Sequence, residues 1–187
     1  MNAYNFLKRL AGLVVGDGFV REVPIPLSAV IATGASAPAL SSNVVVVTFD
    51  ADDESITIPF QVPLDYDRSK DELAVVVTAE LTTGDASANA VALDLDEVWR
   101  ARPGGAAVDE LTPVSDSQNV AVTVEQYVFD LSGLSLKPGD VLSIEVDAQE
   151  TGTAVATVYG AAVRYRSSLV ATESEFRSDI DLAVTND

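Results

Sequence analysis

Three clusters of carboxylates are the groups in this chain whose type and spacing could do chemistry. They are Asp50, Asp52, Asp53 and Glu54; Asp65, Asp67, Asp71 and Glu72; and Asp94, Asp96 and Glu97. Oxygen-only clusters suit Ca²⁺ or Mg²⁺. The second cluster opens with the spacing of a calcium loop, Asp65-Tyr66-Asp67-Arg68-Ser69. Its sixth position is Lys70 where the sharp turn needs Gly, and its twelfth is Val76 where a bidentate Glu is needed. It fails as an EF-hand. Asp94 and Asp96 share one face of a strand pattern, roughly 6.5–7 Å apart by two strand rises. That spacing is compatible with the carboxylate pair of a glycoside hydrolase, but nothing else marks a sugar site: carbohydrate platforms normally use exposed aromatics, and here Trp99 is the only Trp while Tyr and Phe are sparse. The simpler reading of each cluster is a solvated acidic surface, so no catalytic residue and no metal ligand is assigned.

The missing residue types narrow the chemistry further. There is no His and no Cys. The commonest general base and zinc ligand are therefore absent, and Ser-His-Asp or Cys-His catalysis, disulfides and thiolate metal sites are excluded. No phosphate-binding loop and no basic stripe with interleaved aromatics occurs, so neither a cofactor nor nucleic acid is expected as a ligand. The chain is expected not to be an enzyme. It carries 29 acidic against 11 basic residues, and only Lys8, Lys70 and Lys137 of the bases are lysine. Excess acid with few lysines is the bias expected of a halophilic protein, where screening removes the cost of self-repulsion; an ordinary acidic protein is the plainer alternative.

The charge is unevenly placed. Residues 1–21 carry Lys8, Arg9 and Arg21 against Asp17, a net of +2, which leaves −20 on residues 22–187 out of the total of −18. The basic end coincides with a helical pattern in which Ala3, Phe6, Leu7, Leu10, Leu13 and Val14 recur at i, i+3, i+4. Asn2 is a suitable N-cap, and Gly16-Asp17-Gly18 ends the pattern. A basic pair before apolar residues also begins a secretory signal. Here Gly12 interrupts the apolar stretch and no small-x-small cleavage site closes it, so a retained helix is expected. Phe6, Leu7, Lys8, Arg9, Leu10 and Leu13 are its candidate contact residues, against the chain's own barrel, a neighbouring subunit or an anionic membrane surface.

The elements that must position the rest read as strands. Phe19 to Val23 is a short edge strand limited by Pro24 and Pro26, and Thr33 to Ser42 reads as a loop. Further strands are expected at Val44–Phe49, Ile56–Phe60, Leu73–Leu81, Val91–Leu95, Val120–Leu131, Val141–Val146 and Thr153–Tyr165. Lys137-Pro138-Gly139-Asp140 reads as a turn with Pro at its second position. The spacing predicts an all-β fold: a single eight-stranded jelly-roll barrel or sandwich with a short N-terminal amphipathic helix. The expected divisions are the helix over 1–18, the jelly roll over 19–168 and an acidic tail over 169–187. Leu93, Leu95, Val122, Val124, Leu142, Ile144, Val146 and Val158 are expected to point inward by their period of two.

Three further residues are interface candidates. Trp99 is the single Trp; it is either an anchor for a partner or a plug at one end of the core. Arg164 and Arg166 flank Tyr165, placed to pair with acids of a neighbouring subunit or of the chain itself.

With the helix Phe6-Leu7-Lys8-Arg9-Leu10, the strand series from Val44 to Tyr165 and the acidic, arginine-over-lysine composition, the chain resembles the small major capsid protein of haloarchaeal icosahedral internal-membrane viruses. That resemblance implies a structural virion protein. Its single barrel would form homo-oligomers and join a second capsid protein in an icosahedral shell. Its N-terminal helix would face an internal lipid membrane, and no catalytic residue would carry over. Two alternatives stand beside it: a decoration or tail-associated jelly roll of a tailed phage, and a carbohydrate-binding β-sandwich module.

Overall fold

The computed structural model describes residues 19–42, 44–83, 90–109, 117–150 and 154–168. The expected N-terminal helix, with its contact residues from Phe6 to Leu13, and the acidic tail over 169–187 lie outside them. Among the described residues there are twelve strands and one 3-10 turn, Leu27–Ala29, and no helix long and apolar enough to cross a membrane.

Two antiparallel sheets face each other. The first contains β1 (Phe19–Ile25), β3 (Ala39–Ser41), β4 (Val44–Phe49), β6 (Leu73–Thr83), β10 (Glu125–Asp130) and β12 (Val155–Ser167) in the order β10-β6-β12-β4-β3. β1 and β4 lie end to end along one edge of β12, β4 beside Ala156–Val158 and β1 beside 161–167. The second contains β2 (Ile31–Thr33), β5 (Glu54–Gln61), β7 (Val91–Ala101), β8 (Val108–Asp109), β9 (Gln118–Asn119) and β11 (Val141–Glu150) in the order β2-β5-β11-β7-β8, with β9 also on β7. The sets β10-β6-β12-β4 and β8-β7-β11-β5 have jelly-roll connectivity. The expected count of eight is thus corrected to twelve, because β1, β2, β3 and the split edge β8/β9 add short strands to that frame.

Period-two alternation decides which side chains fill the space between the sheets. Ile56 and Ile58 on β5, Ile144 and Val146 on β11, and Val75, Val77 and Ala79 on β6 have no exposed surface. Leu93, Val98, Val158 and Val163 join them in one core. Val122 and Val124 do not: they are 56% and 54% exposed. The expected strand over Val120–Leu131 begins only at Glu125, since residues 120–124 cross from β9 in one sheet to β10 in the other. Val120 is buried, and the Ala121 N–H donates to Tyr127 Oη at 2.7 Å, which fixes the crossover. An apolar residue at every second position was present without a ladder to use it. Similarly, the expected loop over Thr33–Ser42 contains β3, and β1 continues through Pro24 to Ile25 because its outer side has no ladder to lose.

Turn chemistry locks the ends. In Lys137-Pro138-Gly139-Asp140 the Asp140 N–H reaches the Lys137 carbonyl at 3.0 Å, and Gly139 takes the φ of +87° that such a turn requires. Asp140 is 1% exposed and is held by Arg102 through Nε at 2.7 Å and Nη2 at 2.6 Å. The Arg102 hydrogen bonds keep its carboxyl below the usual range against the opposing effect of burial.

Candidate functional site

The outer face of β5-β11-β7 gathers polar groups from three strands. On β11, Leu142, Ile144, Val146 and Ala148 turn to the core, so Ser143, Glu145, Asp147 and Gln149 turn out. The register places Ser143 opposite Trp99, Glu145 opposite Glu97, and Asp147 opposite Asp94. On the other side, Glu145 stands opposite Thr57 and Asp147 opposite Ser55. The pairing slips between Glu145 and Val146, which makes Asp96 an extra residue in β7. A bulge of this kind breaks strict alternation. Both Asp96 and Glu97 accordingly reach the outer side between inward-facing Leu95 and Val98. Five carboxylates, Asp94, Asp96, Glu97, Glu145 and Asp147, therefore share one face. No Lys or Arg holds an outward register position on these three strands; Arg100 is in register with inward-facing Leu142 and acts on Asp140.

The electrostatics follow from that crowding. Burial first, and then the charges of Glu145, Glu97 and Asp94, raise the pKa of Asp96. Burial, reinforced by Asp96 and Asp94, raises that of Asp147, although Gln149 Nε2 donates to it at 2.9 Å. The Oδ1 atoms of Asp94 and Asp147 are buried without a hydrogen-bond partner. Ser55 Oγ donates to Glu145 Oε1 at 2.5 Å.

Trp99 closes this row. The residue is 43% exposed, which rules out the core-plug reading, and its Nε1–H donates to Glu97 Oε2 at 2.8 Å. The polar edge of the ring is thus tied down, leaving the ring as an oriented apolar surface. Buried Phe49, Phe60, Tyr66, Tyr127, Phe129 and Tyr165 belong to the core instead. Arg164 and Arg166 lie far from this face, on β12 of the other sheet, and both pair within the chain: Arg164 with Glu22 at 2.8 Å, Arg166 with Glu72 at 2.7 Å.

The other acid clusters serve the fold. Glu54 is 6% exposed and accepts the N–H groups of Asp50 and Ala51, closing the turn before β5. Asp67 accepts from the backbone and hydroxyl of Ser69, and Tyr66 Oη donates to Asp71 at 2.8 Å. Asp65 gathers Ser167, Tyr165 and Arg21. Burial works to raise its pKa, but the Ser167 and Tyr165 hydroxyls hold it low. Among the described residues, no group of three or more acidic side chains has the geometry to hold a metal ion. Asp94, Asp96, Glu97 and Trp99 were candidates from sequence. Glu145, Asp147, Gln149 and Ser55 were not, and their signal was the polar half of the alternation in β11 and β5.

No known protein family's sequence pattern matches the chain, and no curated protein matches it. Among solved structures it is similar to the CBM22-1 xylan-binding domain of Paenibacillus barcinonensis Xyn10C. The identity there is 14%, with 81% of this chain and 97% of that one covered, at a TM-score of 0.45. It is also similar to the xylan-binding module CBM15 (11%, 79% and 97%, TM-score 0.48). A third is the C-terminal CBM6 of LamC from Zobellia galactanivorans (7%, 78% and 98%, TM-score 0.40). None reaches a TM-score of 0.5, so ligand and site rest on this chain's own residues. The solved structures found include several carbohydrate-binding modules, a xylanase and a carbohydrate esterase, and on that finding the capsid-subunit reading is corrected, together with its viral and virion descriptors. Eight strands in jelly-roll order are common to both classes of protein, so the strand series that carried the resemblance could not separate them.

Proposed function

We propose that this chain is a non-catalytic carbohydrate-binding β-sandwich whose ligand lies on the outer face of β5-β11-β7. The observation that carries the reading is Trp99: an exposed indole, fixed in orientation by Glu97, at the end of a row of hydrogen-bond acceptors. A pyranose ring offers an apolar face of C–H groups and a rim of hydroxyls. The indole complements the first, and Glu97, Glu145 and Ser143 complement the second. The row follows the strands at roughly 6.5–7 Å per outward residue, so it suits an extended chain of sugars better than a single ring. The carboxylates lie side by side on a sheet face as a row of acceptors, an arrangement suited to holding hydroxyls.

The test is affinity electrophoresis and calorimetry against a panel of soluble β-glycans, with wild type and Trp99→Ala. Binding by wild type is expected to fall by tenfold or more in Trp99→Ala, about 1.4 kcal/mol or more. Unchanged binding in the variant, or no binding to any glycan, overturns the reading.

A further inference from the structure

Elsewhere in the fold the engaged carboxylates are each satisfied singly: Asp65 has Arg21, Glu22 has Arg164, Glu72 has Arg166 and Asp140 has Arg102, while Glu54 and Asp67 are held by backbone N–H groups. The face beside Trp99 differs. Asp94, Asp96, Glu97, Glu145 and Asp147 lie on adjacent strands, and their outward positions include no base. Four of the five face one another in directly opposed pairs, Glu97 with Glu145 and Asp94 with Asp147. Like charges directly opposite destabilise a sheet, so the fold carries this arrangement at a cost.

We propose that the glycan taken by this face bears free amino groups, as a chain of glucosamine units does. The proposal rests on the carbohydrate-binding reading above and names its ligand class. A neutral glycan satisfies the indole and some acceptors but leaves the repulsion among the carboxylates in place. A uronic-acid or sulfated glycan adds to it and is rejected. An ammonium group on a ring stacked at Trp99 gains twice. It supplies three donors to acceptors on Glu97, Glu145 and Asp96, and it neutralises charge where the carboxylates crowd. The indole face itself also attracts a cation. The carboxylates thus choose among glycans, and the indole makes the surface a glycan site.

The experiment is calorimetry at low and high ionic strength with four probes: a glucosamine hexamer, its fully N-acetylated form, an oligogalacturonate, and spermine as a polycation without sugar rings. The proteins are wild type, Trp99→Ala and the double variant Asp96→Asn/Glu145→Gln, which removes charge but keeps shape. The glucosamine hexamer is expected to bind wild type roughly tenfold or more tightly than the acetylated one, with the difference shrinking in high salt and in the double variant. Oligogalacturonate is expected not to bind. Trp99→Ala should weaken both hexamers. Equal or tighter binding of the acetylated hexamer overturns the amino-sugar proposal and leaves the carbohydrate reading standing. Glucosamine binding that spermine matches and Trp99→Ala does not change overturns it as well, by showing simple attraction of polycations. Failure of every glycan overturns both.

Discussion

The outer faces of the two sheets obey the same alternation but differ in electrostatics: charges are paired on one and crowded with their own sign on the other. On the first sheet, Glu22, Arg164, Arg166 and Glu72 form two ion pairs across β1, β12 and the start of β6. The middle of that face is small and apolar, with Val76 1% and Ala162 8% exposed. On the second sheet, five carboxylates crowd without an opposing base beside a half-exposed Trp. Folding needs only the inward half of each strand. The first face is finished within the chain, whereas the second is left with repulsion that folding alone does not require. A surface kept at a cost is where function is to be sought.

Substitutions separate the shared core from the two faces. Ile144, with no exposed surface, serves both sheets. Ile144→Ala should cost about 2–5 kcal/mol in denaturant unfolding, and a loss under 1 kcal/mol would contradict the shared core. Arg102→Ala strands buried Asp140. The cost should be about 3 kcal/mol, the low end for breaking a buried pair, because the Lys137 N–H still donates to Asp140 at 2.8 Å. The sign with pH is fixed. The lowered pKa of Asp140 means its stabilisation is present above the unfolded value and lost as pH falls through the folded one. The advantage of wild type over Arg102→Ala should therefore shrink in acid.

Asp147 should behave in the opposite way. Its pKa is raised by burial, and then by Asp96 and Asp94. Ionisation therefore works against the fold, and stability is gained as pH falls through the folded value. Asp147→Asn is expected to stabilise the protein by roughly 0.2–1 kcal/mol at neutral pH, the scale of a like-charge pair directly opposite. The gain should fade in acid and in high salt, read as melting temperature across both series. Destabilisation at neutral pH would mean that the carboxylate has a partner it needs. The smallest effect is expected on the first face. Glu22→Gln should cost no more than about 0.2–1 kcal/mol, less in high salt, because that pair is exposed.

Much of the fold was legible because the inward half of the pattern is regular. Leu142, Ile144 and Val146 alternate over a strand that begins where it was read and runs on past Val146 to Glu150, and the turn at Pro138-Gly139 is where its residues place it. Val122 and Val124 show the limit, since alternation records side-chain chemistry and not whether a neighbouring strand is present. The site was half legible. Asp94, Asp96, Glu97 and Trp99 are adjacent in sequence, but Glu145 and Asp147 join them only through the pairing of β7 with β11, which one strand's residues do not specify. The bulge that turns Asp96 outward beside Glu97 is likewise a property of the pair. Trp99 was open between two roles because a large aromatic fits either, and the register opposite exposed Ser143 removes the core-plug role by placing it on the outer side.

The tethered indole gives this protein a built-in optical reporter. Trp99 is the single Trp of the chain, so its emission comes from one spot, beside a carboxylate that holds its N–H. A molecule that covers the ring must change that emission, and one that settles on the opposite sheet leaves it unaltered. Titration without any label can therefore tell which side of the sandwich a ligand has chosen.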